Sequence, residues 1–171
     1  MDFSILYFLQ ECRTDFLDAA MAVITLSMGR GGILWVASSC VLMCFGRTRR
    51  CGVAVILAYA MSCLIGHFGL KELIARARPC HADMAISLIE QCPKSFSCPS
   101  SHSCMAFSGA AAVFSYYKKI GMALFAYAAV IGFTRMYLFV HFPSDVLFGA
   151  VLGVVFGCAA AKLSNASRFG K

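Results

Sequence analysis

The sequence predicts an all-α fold: a polytopic membrane helical bundle of about six transmembrane helices, with an N-terminal interfacial helix ahead of them. Three observations carry that prediction. The chain is 60% hydrophobic and only 13% charged, with a mean hydropathy of +0.77. Its apolar runs are too long and too frequent for a soluble core of this size, and a helix needs about 20 mostly apolar residues to cross the hydrocarbon. The period-2 alternation of an outer-membrane barrel is absent. At 171 residues the chain reads as one domain, 1–171.

Residues 1–15 mix aromatic and charged side chains, as an interfacial helix does. Phe16 to Met28 reads as a short first span, and Gly29-Arg30-Gly31-Gly32 as a turn. Ile33 to Phe45 is the second span, with Trp35 near one end as an interfacial anchor. Gly52 to Leu70 is the third, after the basic loop Gly46-Arg47-Thr48-Arg49-Arg50. The long polar connection 71–101 follows, within which Asp83 to Glu90 has the pattern of a short amphipathic surface helix. Ser103 to Tyr117, Ile120 to Val140 and Asp145 to Ala161 are the last three spans. The acidic N-terminus lacks a basic n-region, so no cleavable signal peptide is expected.

If the spans alternate, the segments around Lys71 to His102 and Arg135 to Asp145 emerge on one face. The other face receives Arg13, Arg47, Arg49, Arg50, Lys118, Lys119, Lys162, Arg168 and Lys171, nine of the fifteen Lys and Arg. The positive-inside rule makes that basic face cytoplasmic and turns the polar cluster outward, to the periplasm or cell exterior. The net charge of +7 lies in loops between spans, which argues against nucleic acid as a partner. Of the ten cysteines, Cys40, Cys44, Cys63, Cys104 and Cys158 sit in apolar segments and read as small buried hydrophobes. No Cys/His spacing suits zinc. Cys80, Cys92 and Cys98 share the polar loop, where an oxidising compartment favours pairing, foremost of Cys80 with Cys92.

The polar residues on the shared face have a common chemistry. Lys71 and Arg78 are seven apart, which returns to nearly the same face of a helix, and Pro79 disfavours helix at Arg78. Arg76 lies off that face and reads as solvated or headgroup-binding. Ser100 and Ser101 are natural N-caps before a span, and a helix N-terminus offers free N–H groups to an anion. His102 goes beyond what a cap needs. Arg135 is a third cation, and Asp145 follows His141 by four residues. A carboxylate on one ring nitrogen would leave the other free as a nucleophile; the alternative for the pair is a core histidine satisfied by an aspartate. His67, one turn before Lys71, is placed to flank the site, though a buried histidine is the better reading. Together these groups describe a phosphate site in which lysine and arginines replace a metal. There is no second carboxylate cluster to hold a metal, and no cofactor is expected.

With these residues the chain resembles the type 2 phosphatidic acid phosphatase family. Lys71, six residues, then Arg78-Pro79 is similar to that family's first motif; Pro99-Ser100-Ser101-His102 resembles the second; Thr134-Arg135, five residues, His141, three residues, Asp145 resembles the third. Ser101 stands where the family usually has glycine, and Thr134 where it usually has serine. The resemblance implies that His141 attacks phosphorus to give a phosphohistidine, oriented by Asp145, while His102 protonates the leaving oxygen and later activates water. Lys71, Arg78, Ser100 and Arg135, with the N–H groups of Ser101 and His102, would hold the phosphate oxygens. The implied substrate is a lipid phosphate in the bilayer, foremost undecaprenyl diphosphate, with phosphatidylglycerophosphate or the lipid A 1-phosphate as alternatives. The resemblance extends to vanadium haloperoxidases, but the apolar spans argue against those soluble enzymes. A non-enzymatic anion-binding membrane protein or transporter is the alternative of another class. Oligomeric state is not legible.

Overall fold

A computed structural model describes residues 2–27 and 32–166, and the described residues are helical with no strand. Among the described residues nine α-helices follow in order: α1 (Asp2–Glu11), α2 (Asp15–Ser27), α3 (Ile33–Cys44), α4 (Arg49–Met61), α5 (Lys71–Ile74), α6 (Pro79–Ala82), α7 (Ser101–Phe114), α8 (Lys118–Tyr137) and α9 (Pro143–Ala166). A π-helical stretch, Ser62–Leu70, joins α4 to α5 without a break. Among the described residues three stretches are long and apolar enough to cross a membrane: Arg49–Ala82, Lys118–Tyr137 and Pro143–Ala166. Ile33–Cys44 is a shorter apolar helix.

The bundle centres on α7, which packs against α4, α8 and α9. The approach of α9 to α7 is close because Gly149, Gly153 and Gly157 recur every four residues along one face of α9. A Cβ added at these positions would lie 2.6, 2.4 and 2.4 Å from the carbonyl oxygens of Ser100, Cys104 and Ser108. Small residues at this spacing let two membrane helices meet backbone to backbone. The same device seats the indole of Trp35 on Gly109, where an added Cβ would lie 2.5 Å from the ring. Trp35 is therefore buried in the core, not anchored at an interface as its position near a helix end suggests.

The N-terminal region packs against the C-terminal end of α8 and the turn that follows it. Helix α1 is present and buries Leu6 completely against Leu138, Phe139, Val140 and Phe142. Helix α2 has 13 described residues. Its Asp18 accepts from the Tyr137 hydroxyl at 2.7 Å, and its Thr25 hydroxyl accepts from Arg135. Both contacts are to the C-terminal end of α8. Arg13 donates to the Ser87 carbonyl at 2.6 Å, which puts it on the face of the 71–101 connection and not among the opposite bases. The proposed turn at Gly29-Arg30-Gly31, like Arg168 and Lys171, lies outside the described residues. At the far end the loops do gather: Tyr117 donates to the Arg47 carbonyl and Ser164 to the Arg50 carbonyl.

Residues 83–90 are not a helix but a run of turns and bends. Two local facts explain this. A Cys80–Cys92 disulfide closes the segment into a short loop, and the Asp83 carboxylate accepts from the Ala85 N–H at 3.0 Å, an Asx-type turn that competes with helix. Ile86, Leu88 and Ile89 then pack on the cluster that holds Leu6 and Phe139. Among the cysteines of the apolar segments Cys104 is buried, Cys63 is half-buried, and Cys40, Cys44 and Cys158 are exposed on the helix surfaces. In a membrane helix an apolar side chain need not be interior, because lipid is as apolar as the core.

Candidate active site

Three breaks in helical geometry build the site, each at a motif expected from the sequence. Helix α5 stops because Ala75 adopts a left-handed conformation, φ 49°, and its N–H closes on the Lys71 carbonyl. Arg78, before proline, is extended at φ −79°, ψ 154°, as the steric demand of the proline ring requires. Lys71 and Arg78 therefore meet by reversal of the chain at Ala75, not by sharing one helix face. Between α8 and α9 the chain reverses at Phe139, φ 57°, and this turn presents His141. Ala75 and Phe139 are the described non-glycine residues with positive φ, a conformation that costs about 1–3 kcal/mol and persists where surrounding structure imposes it. The third break is the N-terminus of α7, capped by Ser100, whose Oγ accepts a long hydrogen bond of 3.5 Å from the Ser103 N–H.

The side chains converge although they carry charge. Lys71, Arg78, Arg135, His141 and Asp145 are each at most 4% exposed. Lys71 Nζ donates to the Phe96 carbonyl at 2.8 Å, and Arg78 donates to the Ser95 carbonyl at 2.6 Å. Both cations are thus held by adjacent carbonyls of the loop before α7. Arg78 also donates to the Val140 carbonyl at 2.8 Å and lies 3.1 Å from His141 Nε2. Arg135 pairs with Glu90 at 3.5 Å, while its Nε is buried without a hydrogen-bond partner. On the first turn of α7 the His102 pKa is lowered to about 3 by burial, with the charges of Arg135, Lys71 and Arg78 adding to the effect.

Asp145 stands behind His141, with Oδ2 3.7 Å from Nδ1. That separation is too long for a hydrogen bond, and Nδ1 has no other partner. The carboxylate is held by other donors: the Ser97 hydroxyl, the Phe142 N–H at 2.9 Å and the Arg76 guanidinium at 2.6 Å. Its backbone carbonyl accepts from the Ser100 N–H at 3.1 Å, which ties α9 to the cap of α7. Burial holds the His141 imidazole well below its ordinary pKa, against the opposing pull of Asp145 and with the neighbouring cations adding to the effect. The ring is accordingly neutral near pH 7. Burial and the charge of Asp145 push the nearby Cys98 thiol up to about 11.

Three further residues of the neighbourhood differ from the sequence expectation: Arg76 is paired, Ser97 was not singled out, and His67, expected foremost as a buried histidine, is half-buried beside Ser101. Arg76 is not a free surface cation: besides Asp145 it binds the Ser144 hydroxyl at 2.8 Å and Asp2 at 2.9 Å, and it sits 4.1 Å over the Phe142 ring. Burial works against ionisation of Asp2, but hydrogen bonds from Ser144 and Arg76 outweigh it and hold the carboxyl below its usual range. Ser97 was invisible because a lone serine in a loop has no pattern; its position two residues before Pro99 was the available signal. His67 is half-buried and its Nδ1 lies 3.0 Å from the Ser101 hydroxyl. Thr134, by contrast, spends its hydroxyl on the Ile131 carbonyl of its own helix at 2.7 Å.

Known proteins share this architecture. A sequence model of the PAP2 superfamily matches residues 51–169. An undecaprenyl-diphosphatase of Sulfolobus acidocaldarius is 29% identical over 121 residues, 70% of this chain and 58% of that protein, so the match spans less than two thirds of the relative's length. The crystal structure of Aquifex aeolicus LpxE superposes with a TM-score of 0.76 at 26% identity, covering 94% of each chain. That of a PAP2-type phosphatidylglycerolphosphate phosphatase from Bacillus subtilis does so with a TM-score of 0.80 at 26% identity, covering 99% of this chain and 87% of the other.

Proposed function

The chain belongs to the PAP2 superfamily, and from that membership and the site's geometry we propose that it is an integral membrane phosphatase that releases phosphate from a lipid phosphate or diphosphate. The observation that carries the reading is the neutral, buried His141, with the Arg78 guanidinium 3.1 Å from Nε2 and the Asp145 carboxylate behind Nδ1. A nucleophile needs a lone pair, and a phosphate needs cations close to it; this arrangement offers both in one place. Lys71, Arg78 and Arg135 supply the positive charge, and the unpaired Nε of Arg135 is a donor in want of an acceptor. Ser100 and the N–H groups of Ser101 and His102 complete the cradle at the N-terminus of α7.

In the reaction, His141 Nε2 forms a bond to phosphorus while the bond from phosphorus to the lipid oxygen breaks. His102, which takes up a proton once the negative charge of the bound phosphate offsets Arg135, Lys71 and Arg78, gives that oxygen the proton. As Nε2 becomes bonded, the proton on Nδ1 gains acidity and closes on Asp145 Oδ2, which stabilises the imidazolium as a carboxylate does in a triad. A water then attacks phosphorus, His102 takes its proton, and the N–P bond breaks to release inorganic phosphate. No metal enters these steps, since positioning and charge neutralisation by cationic side chains meet the needs of phosphoryl transfer.

Undecaprenyl diphosphate is the proposed substrate, supported by the relative from Sulfolobus acidocaldarius. A phosphomonoester such as phosphatidylglycerophosphate is the second reading, favoured by the likeness to the Bacillus subtilis structure over almost the whole chain. We place the site on the outer face of the membrane, opposite the bases at Arg47 to Arg50 and Lys118-Lys119. The test is phosphate release by purified protein from undecaprenyl diphosphate, phosphatidylglycerophosphate and lipid A, with and without EDTA. Release from at least one, unaffected by EDTA, is expected. Release from none of them would favour an anion-binding protein, and loss of activity in EDTA would overturn the metal-free steps.

A further inference from the structure

Beside the candidate acid His102 lies a cavity of about 370 Å³ with two kinds of wall. His67, Ser101 and His102 form a polar side; Phe68, Met105 and Tyr59 supply apolar surface. The His67 ring is fixed in place by the Ser101 hydroxyl, 3.0 Å from Nδ1, and by an edge contact with Phe68, ring centroids 4.9 Å apart. It is carried on the π-helical stretch Ser62–Leu70, a geometry that recurs at functional sites because it re-aims a side chain within a helix. Ser101 occupies the position at which the resembled family has glycine, so its hydroxyl, and the pair it makes with His67, add a polar group that the three motifs do not require.

The group that leaves on cleavage receives its proton from His102, so it departs beside this cavity. A monoester leaves as an alcohol with one oxygen to satisfy. A diphosphate leaves as a lipid monophosphate, whose remaining oxygens need donors of their own. We infer that His67 and Ser101 form a subsite for the phosphate that stays on the lipid when a lipid diphosphate is cut, with the apolar wall taking the first carbons of its chain. The inference rests on the phosphatase reading and names the substrate class within it. When the bond between the bridging oxygen and the terminal phosphorus breaks, that oxygen remains on the lipid phosphate and takes the proton from His102, while phosphorus passes to His141. If Ser101 donates to Nδ1, the imidazole proton of His67 sits on Nε2, a donor suited to a phosphate oxygen.

The experiment compares farnesyl diphosphate with farnesyl phosphate, which share one chain and differ in one phosphate, for wild type, His67→Ala, Ser101→Gly and His67→Gln. Losing a hydrogen bond to a charged oxygen should lower kcat/KM for the diphosphate about tenfold relative to the monophosphate in His67→Ala and Ser101→Gly. His67→Gln, which keeps a donor, should recover part of that ratio. Inorganic diphosphate, which has the phosphates without the chain, should compete more weakly with farnesyl diphosphate in His67→Ala than in wild type. An unchanged ratio in both His67→Ala and Ser101→Gly, with the two substrates losing alike or not at all, would overturn the subsite while leaving the phosphatase reading intact. Phosphate release by wild type from phosphatidylglycerophosphate but from neither farnesyl substrate would overturn the subsite alone, and release from none of the three would overturn the phosphatase reading with it.

Discussion

Arg76 joins two helices through one guanidinium: α9, by Asp145 behind the candidate nucleophile and its neighbour Ser144, and α1, by Asp2. Its role is to hold a carboxylate, so its removal should act on the chemical step more than on binding. Arg76→Ala is expected to lower kcat about tenfold to a hundredfold with little change in KM, the scale on which a misplaced catalytic group costs rate; a change in KM alone would contradict this. For His141 the direction of the pKa gives the sign. Its folded value lies below the ordinary one of about 6.5, so the stability of the neutral ring is fully present above that pH and is lost as pH falls through the lower folded value. Histidine-selective 15N NMR of the free protein should show His141 neutral at about pH 6, and a cationic ring there would contradict the burial argument. The motif residues were legible because phosphate chemistry demands recognisable types at fixed spacing. Arg76 and the His67–Ser101 pair were not, since helical periodicity places Arg76 on an outer face and nothing in the sequence announces the left-handed turn at Ala75.

Among the elements, the long helices followed from apolar run length, and α9 begins at Pro143 as a proline at the first helical position should. The 83–90 segment shows where pattern fails: its amphipathic spacing suits a helix, but the Cys80–Cys92 closure and the Asp83 turn impose another path, and its apolar residues are buried by loop packing instead. The contact of α7 with α9 rests on three glycines, and Gly153 tests it. A side chain there would meet the Cys104 carbonyl at 2.4 Å and the Phe107 Cβ at 3.0 Å. Gly153→Leu must push the two helices apart, at a cost of about 1–3 kcal/mol or more. A lowered Tm in detergent is expected, together with lost activity, because the Ser100 cap and Asp145 ride on these same helices. An unchanged Tm would show that the contact is looser than the backbone distances indicate.

At the scale of the whole molecule, the membrane class was legible from composition, whereas the number and sidedness of the spans were not. Moving Arg13 to the site's face leaves eight bases against seven by sequence count, because the bases at the site serve its chemistry and its packing rather than topology. What organises the molecule is the convergence of the turn after α5, the cap of α7 and the turn before α9 on one buried imidazole. The direct test is to trap phosphate on that imidazole: react purified protein with a lipid phosphate, quench rapidly in alkali, where phosphohistidine survives, and map the modified residue by mass spectrometry. Phosphate on His141 is expected in wild type, with accumulation of that species in His102→Ala supplied with an aryl phosphate whose leaving group needs no acid, and none in His141→Ala. Phosphate release at the wild-type rate by His141→Ala, or turnover with no histidine modified, would contradict it.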